Sequence, residues 1–170
     1  MVVLFSNRNN KIEKELIEIL TACGADYISD KQISATGGFF TVVSFYKTAE
    51  LNIKKGIALI LDDTEKYYKQ TFANDFIGIC EDINVAAIKI FEKNSIPVIT
   101  YGNNHKNTIT VSSMEDKELL ITLQRKLKNI YGEDIYPADY KITLKKPYLK
   151  ETVMCAATIL LLNGKEPKKF

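Results

Sequence analysis

The densest run of chemistry-bearing residues in the chain is Gly102-Asn103-Asn104-His105-Lys106-Asn107. A glycine lets the backbone turn tightly and lets it approach a ligand. Asparagine side chains both donate and accept hydrogen bonds. His105 is the only histidine of the protein, and imidazole transfers protons near neutral pH. Lys106 beside it can hold an anion. Such a set suits a small polar ligand, or acid–base chemistry at His105 with Lys106, Asn103 and Asn104 as orienting groups. The simpler reading is a polar loop, because Asn and Gly dominate turns for backbone reasons alone. Three further polar clusters are Ser6-Asn7-Arg8-Asn9, Asp62-Asp63, and Glu81-Asp82 with Asn84. Glu81 and Asp82 could hold a metal or supply a general base. More simply, Asp82 caps a helix and Glu81 faces water. Asp62-Asp63 carries the same two readings. Thr36-Gly37-Gly38 could bind an anion through its amides, though a hairpin turn is the plainer expectation.

Missing motifs narrow the chemistry. The chain has no GxxxxGK[ST], no GxGxxG after residues 2–5, no GxSxG and no HExxH, so phosphate-cradling, dinucleotide, nucleophile-elbow and zinc-protease signatures are absent. Cys23, Cys80 and Cys155 are widely spaced with no CxxC, which indicates neither a zinc site nor a disulfide framework. Each lies in an apolar stretch and reads as a small buried hydrophobe. A Cys80–His105 pair is arithmetically open, but an apolar setting would raise the thiol pKa and blunt it. No metal, no cofactor and no firm catalytic residue are expected.

The elements that must position these groups follow from hydrophobic period. Residues 2–5 form a buried strand. Asn9 or Asn10 can cap a helix whose apolar face is Ile12, Leu16, Ile19, Leu20 and Cys23, with Gly24 as its stop. Strands are expected at 25–28, 39–46, 56–61, 76–80 and 96–100, and a short helix at 64–70. Asp82 or Asn84 caps a helix with Ile83, Ala86, Ala87, Ile90 and Phe91 inward. From residue 108 alternation with turns between reads as an antiparallel meander with one wet face. A closing helix at 151–162 places Val153, Ala156, Ala157, Leu160 and Leu161 on one face before Asn163-Gly164. The whole is read as one α/β domain over 1–170. Its architecture is three-layer and Rossmann-like, with a mostly parallel sheet, an antiparallel meander and a C-terminal helix. Ligands in such sheets gather at the carboxyl ends of the strands.

The 170 residues hold 23 Lys plus Arg against 21 Asp plus Glu, with 46% hydrophobic residues, which excludes disorder as the dominant state. No apolar stretch is long enough to span a membrane. From residue 141 to the end seven lysines face two glutamates, a net +5 that leaves −3 for the rest. A basic end can attract polyanions, yet without an arginine cluster and interleaved aromatics nucleic acid is not expected as a partner. No signal peptide is legible and the thiols read as reduced, so a cytoplasmic protein is expected. Tyr131, Tyr136, Tyr140 and Tyr148 cluster in the meander and could anchor a homo-oligomer.

The stretch FIGICEDINVAAIKIFEKNSIPVITYG, with the meander and ETVMCAATILLLNG after it, resembles the distal part of the central domain of Mur ligases, the ATP-dependent ligases of peptidoglycan precursor synthesis. The resemblance covers residues 76–164 and rests on topology and hydrophobic order. Only Glu81, Asp82 and Gly102 carry over, in positions that look structural. The family's P-loop, metal-binding Glu and modified Lys have no match in residues 1–75, and its Arg-His-Asn step reads Lys150-Glu151-Thr152 here. The resemblance implies a stripped Mur-like domain of a stand-alone bacterial family, associated with cell-wall metabolism. The first expectation is a non-catalytic module binding a small ligand or a protein through Gly102, Asn103, Asn104, His105, Lys106, Glu81 and Asp82. The second is a small hydrolase or transferase using His105. The third is a homo-oligomeric scaffold.

Overall fold

The computed structural model describes residues 1–7, 10–47, 50–62, 67 and 69–170. Val2–Phe5 (β1) leads into Lys11–Ala22 (α1) and Ala25–Ile28 (β2). After the short Ile33–Ser34 (β3) come Phe40–Phe45 (β4), Lys55–Ile60 (β5) and Asp75–Glu81 (β6). Val85–Lys93 (α2) and Val98–Tyr101 (β7) complete the alternating part. Ile109–Glu115 (β8), Glu118–Leu123 (β9), the pair Leu127–Lys128 (β10) and Asp134–Ile135 (β11), then Ala138–Thr143 (β12) form the meander, and Lys150–Leu162 (α3) closes it. The main sheet runs β12-β9-β8-β7-β6-β5-β1-β4-β2-β3. Pairings from β2 through β4, β1, β5, β6 and β7 to β8 are all parallel, whereas β8-β9, β9-β12 and β2-β3 are antiparallel. The expected mostly parallel α/β sheet with an antiparallel meander is what the chain builds.

The period-two geometry of a strand explains why both faces are covered. Val2 and Leu4 of β1, with Ile57 and Leu59 of β5, point to the layer of α1 and α3. Val3, Phe5, Ala58 and Ile60 point to the layer of α2. On α1 the apolar stripe is Leu16, Ile19 and Leu20. On α2 it is Ala87, Ile90 and Phe91, with Ile83 left outside at 71% exposure. Ile83 therefore departs from the expected apolar face, because the helix starts only at Val85 and Asn84 caps it through Ala87 N at 2.9 Å. Helix α3 departs further. It is buried at every position from Thr152 to Leu162 rather than along one face, wedged between α1 and the sheet at β7 and β8. Apolar residues all round a helix are what such a central place requires. The expected helix at 64–70 lies mostly outside the described residues. Thr36-Gly37-Gly38 is no hairpin turn either, since β4 pairs parallel to β2. The Thr36 amide is taken by Asp26 Oδ1 at 2.7 Å, which leaves that amide no role in anion capture.

Helix ends follow a shared rule. At α3 the amide of Gly164 bonds Leu161 O and that of Lys165 bonds Leu160 O, a Schellman stop with Gly164 at φ 71°. At α2 the same pair of bonds runs from Ser95 N to Glu92 O and from Ile96 N to Phe91 O, but the left-handed residue is Ser95 at φ 55°. A Cβ is disfavoured there. Ser95→Gly is expected to stabilise the chain by about 0.5–1 kcal/mol, net of the extra freedom glycine gives the unfolded state. An unchanged or lowered urea midpoint contradicts that account.

Candidate functional site

Parallel strands β1, β4, β5, β6 and β7 all end on one edge. The chain runs from β1 to β2 and β4 on one side, then crosses to β5 on the other, so strand order reverses at β1. Crevices at this place are where open α/β sheets hold ligands. Two polar neighbourhoods lie along the edge.

The first gathers most of the residues singled out in the sequence. Asp82, just past β6, accepts from Asn107 Nδ2 at 2.7 Å. Gly102, just past β7, lies between them: a Cβ there would stand 2.7 Å from Asn107 Nδ2 and 2.7 Å from Asp82 Oδ1. Asp82 is thus no helix cap, and its carboxylate instead ties the loop after β7 to the end of β6. Asn103 accepts from Lys150 Nζ at 3.0 Å, which brings the start of α3 to the same edge. Glu81 is half-buried rather than facing water. Burial pushes its carboxyl up, and the charges of Glu151 and Asp82 push the same way while Lys150 opposes them. Asn104 Oδ1 accepts from the Lys106 amide, which folds the loop on itself. Lys106 supplies its backbone carbonyl to Arg125. His105 is exposed, and no hydrogen bond or ion pair of its side chain occurs among the described residues. Nothing there orients the imidazole for proton transfer. Cys80 is fully buried, and its thiol is pushed up to about 12 by burial and by Asp82 and Glu81.

The Glu81 shift carries a pH dependence with a definite sign. A folded-state pKa above the unfolded value means that the folded chain holds the proton more tightly. Its contribution to stability is therefore full below the unfolded value and declines as pH rises through the folded one. Glu81→Gln is expected to remove that decline and to raise the urea midpoint near neutral pH relative to the native chain. An identical pH profile for the two proteins overturns it.

The second neighbourhood lies at the ends of β1, β4 and β5. Asn10 caps α1 through Glu13 N at 3.2 Å and donates to Asp62 Oδ1 at 3.0 Å. Glu13, only 3% exposed, accepts from Ser6 Oγ and from Tyr46 OH. Tyr67, fully buried, donates to Ser6 O at 2.8 Å. Burial and the Glu13 charge push the Tyr46 phenol well up. Of this group the sequence points to Asn10 as a helix cap and to Ser6, Asn7 and Asp62 as members of polar clusters, while Arg8, Asn9 and Asp63 lie outside the described residues. Glu13 was missed. Its signal was its register: it precedes Leu16 by three and Leu20 by seven residues, so it falls on the apolar face of α1.

The basic C-terminal segment is spent mainly on the protein itself. Lys146 pairs Glu18, Lys141 pairs Glu118 and Lys168 pairs Glu166. Lys165 Nζ stands 3.2 Å from the Phe39 ring centroid. Of the meander tyrosines, Tyr131 and Tyr136 are 59% and 64% exposed while Tyr148 is buried. No described helix is long and apolar enough to cross a membrane.

A sheet of this order, with helices on both faces and a closing helix that starts at its carboxyl edge, is the α/β architecture of Mur ligases. Two solved structures share it. One is UDP-N-acetylmuramate:L-alanyl-gamma-D-glutamyl-meso-diaminopimelate ligase from Neisseria meningitides, at a TM-score of 0.60 and 8% identity over 99% of this chain and 62% of that one. Another is UDP-N-acetylmuramoylalanyl-D-glutamyl-2,6-diaminopimelate--D-alanyl-D-alanyl ligase from Acinetobacter baumannii, at a TM-score of 0.55 and 11% identity over 97% of this chain and 43% of that one. The chain thus spans 62% and 43% of the lengths of these two ligases. No family model matches the chain, and no curated protein matches its sequence. The likeness is one of fold.

Proposed function

We propose that the chain is a non-catalytic small-ligand-binding module with a Mur-ligase-like fold, working in the cytoplasm in cell-wall metabolism. The observation that carries this is the clasp of Asp82, Asn107 and Gly102, which anchors the Asn103–Lys106 loop beside Lys150 at the carboxyl edge of β6 and β7. Pre-formed polar groups converging on one edge are what a binding site needs. ATP chemistry does not fit the other neighbourhood. The connection from β1 to α1, Ser6-Asn7-Arg8-Asn9-Asn10, has neither glycine nor lysine. The cap of α1 is filled by its own Asn10, and the buried Glu13 carboxylate in the first turn would repel a triphosphate where a P-loop attracts one.

The test is amide chemical-shift mapping with two probes. UDP-N-acetylmuramic acid is expected to shift residues 102–107 saturably. ATP with Mg²⁺ is expected to be neither hydrolysed nor used to form a bond. ATP turnover, or silence of the 102–107 amides toward the sugar nucleotide, overturns the reading.

A further inference from the structure

Strand β12 ends the main sheet on one side. Its inner edge pairs with β9. Its outer edge is partly closed by the end of the chain itself: Thr143 N donates to Lys168 O at 3.0 Å, and Phe170 N donates to Thr143 O at 2.9 Å. In an antiparallel ladder alternate residues turn both backbone groups to the same neighbour. Asp139 and Lys141 therefore face the way Thr143 does, outward. Among the described residues no backbone hydrogen bond meets them on that side. The open edge is short and bounded. Pro137, before it, has no amide to give, and Thr143, after it, is already used.

An open edge is a template for another strand, and a lysine on it ordinarily discourages one. Here the lysine stands two positions from an aspartate, so the two share one face of the sheet. Both are exposed. On the inner side each meets a complementary group of β9: Lys141 pairs Glu118 at 2.8 Å, and Asp139 accepts from Thr122 Oγ1. An antiparallel copy of the same strand, with its two-fold axis at Tyr140, sets Asp139 opposite Lys141 of the second copy and Lys141 opposite its Asp139. Both pairs are then of the hydrogen-bonded kind, which the outward backbone groups require. Moving the axis by one residue either way sets Asp139 on Asp139 or Lys141 on Lys141, so charge selects the register. On the opposite face Tyr140 meets Tyr140 of the second copy, in the closer, non-hydrogen-bonded kind of pair. Tyr140 is half-buried, and a recess of about 350 Å³ lined by Tyr136, Tyr140, Leu161 and Glu166 flanks it, which leaves room for a ring.

We propose that β12 pairs antiparallel with β12 of a second copy of this chain, giving a two-fold dimer whose sheet runs through both chains and whose register is set by Asp139–Lys141 pairs. The paired segment is short, so the association is weak, with a Kd of about 10–100 µM expected.

Sedimentation equilibrium of the full chain from about 5 µM to about 1 mM tests it. The native chain is expected to pass from monomer to dimer over that range. Asp139→Lys and Lys141→Asp each set like charges opposite, and each alone is expected to dimerise at least about tenfold more weakly. Mixed in equal amounts, the two variants are expected to associate at least as tightly as the native chain, because opposite charges then face each other in both pairs. A merely structural effect of either substitution is not undone by mixing. Lys141→Pro removes an outward amide that the monomer does not use, and is expected to abolish the dimer while circular dichroism stays native. A native chain that is monomeric at about 1 mM overturns the proposal, whether the edge then takes a strand of another protein or stays in water. A dimer indifferent to both charge reversals, or folded variants that do not associate on mixing, overturns it equally.

Discussion

Phe91→Ala is expected to lower stability by about 3–5 kcal/mol. The ring is fully buried where α2 lies on β6, and it packs 6.1 Å from the Phe72 centroid. Beneath it is Gly78, where a Cβ would stand 2.7–2.9 Å from the ring atoms of Phe91. The helix sits this close to the sheet because β6 offers no side chain at that point. Gly78→Ala alone is therefore expected to cost about 1–3 kcal/mol by overpacking. Combined, the two changes should be far from additive, since the new methyl enters space the ring has vacated. Urea midpoints of the four proteins measure the coupling. Additive losses would mean that ring and glycine do not share this space.

Gly102→Ala is expected to destabilise by about 2–3 kcal/mol through a polar contact rather than an apolar one. The added carbon would sit against both Asp82 and Asn107, so their 2.7 Å bond must open. Asn107 is 2% exposed, and its amide would lose a charged acceptor where water cannot replace it. Asp82→Ala should cost a similar amount, and Asp82→Asn, which keeps an acceptor, about half as much. If the clasp holds the loop in its binding shape, Gly102→Ala also abolishes the shifts at residues 103–106 with UDP-N-acetylmuramic acid. Full stability in Gly102→Ala would show that the clasp is loose.

Much of the fold was legible because its signals are local. The β-branched runs at β1, β5, β6 and β7, the asparagine caps and the glycine stops of α1 and α3 each need only a few neighbouring residues to be read. The likeness to Mur ligases was legible over residues 76–164, where the order of strand, helix and strand is plain, and the structural likeness spans nearly the whole chain. The front half hid it because the β1–α1 turn there carries no motif that marks the fold in sequence.

What the residues determined alone was the alternation of apolar strands and helices, and hence a parallel sheet covered on both faces. Tertiary structure decided which polar groups meet. Asp82 and Asn107 are 25 positions apart, Asn103 and Lys150 are 47 apart, and Glu13 meets Tyr46 across 33. Contacts of that span arise when strands pair side by side and loops at their ends converge, and no period within a window of residues encodes them. The same holds for α3, whose amphipathic-looking stripe became a fully enclosed helix only once α1 and the sheet closed around it.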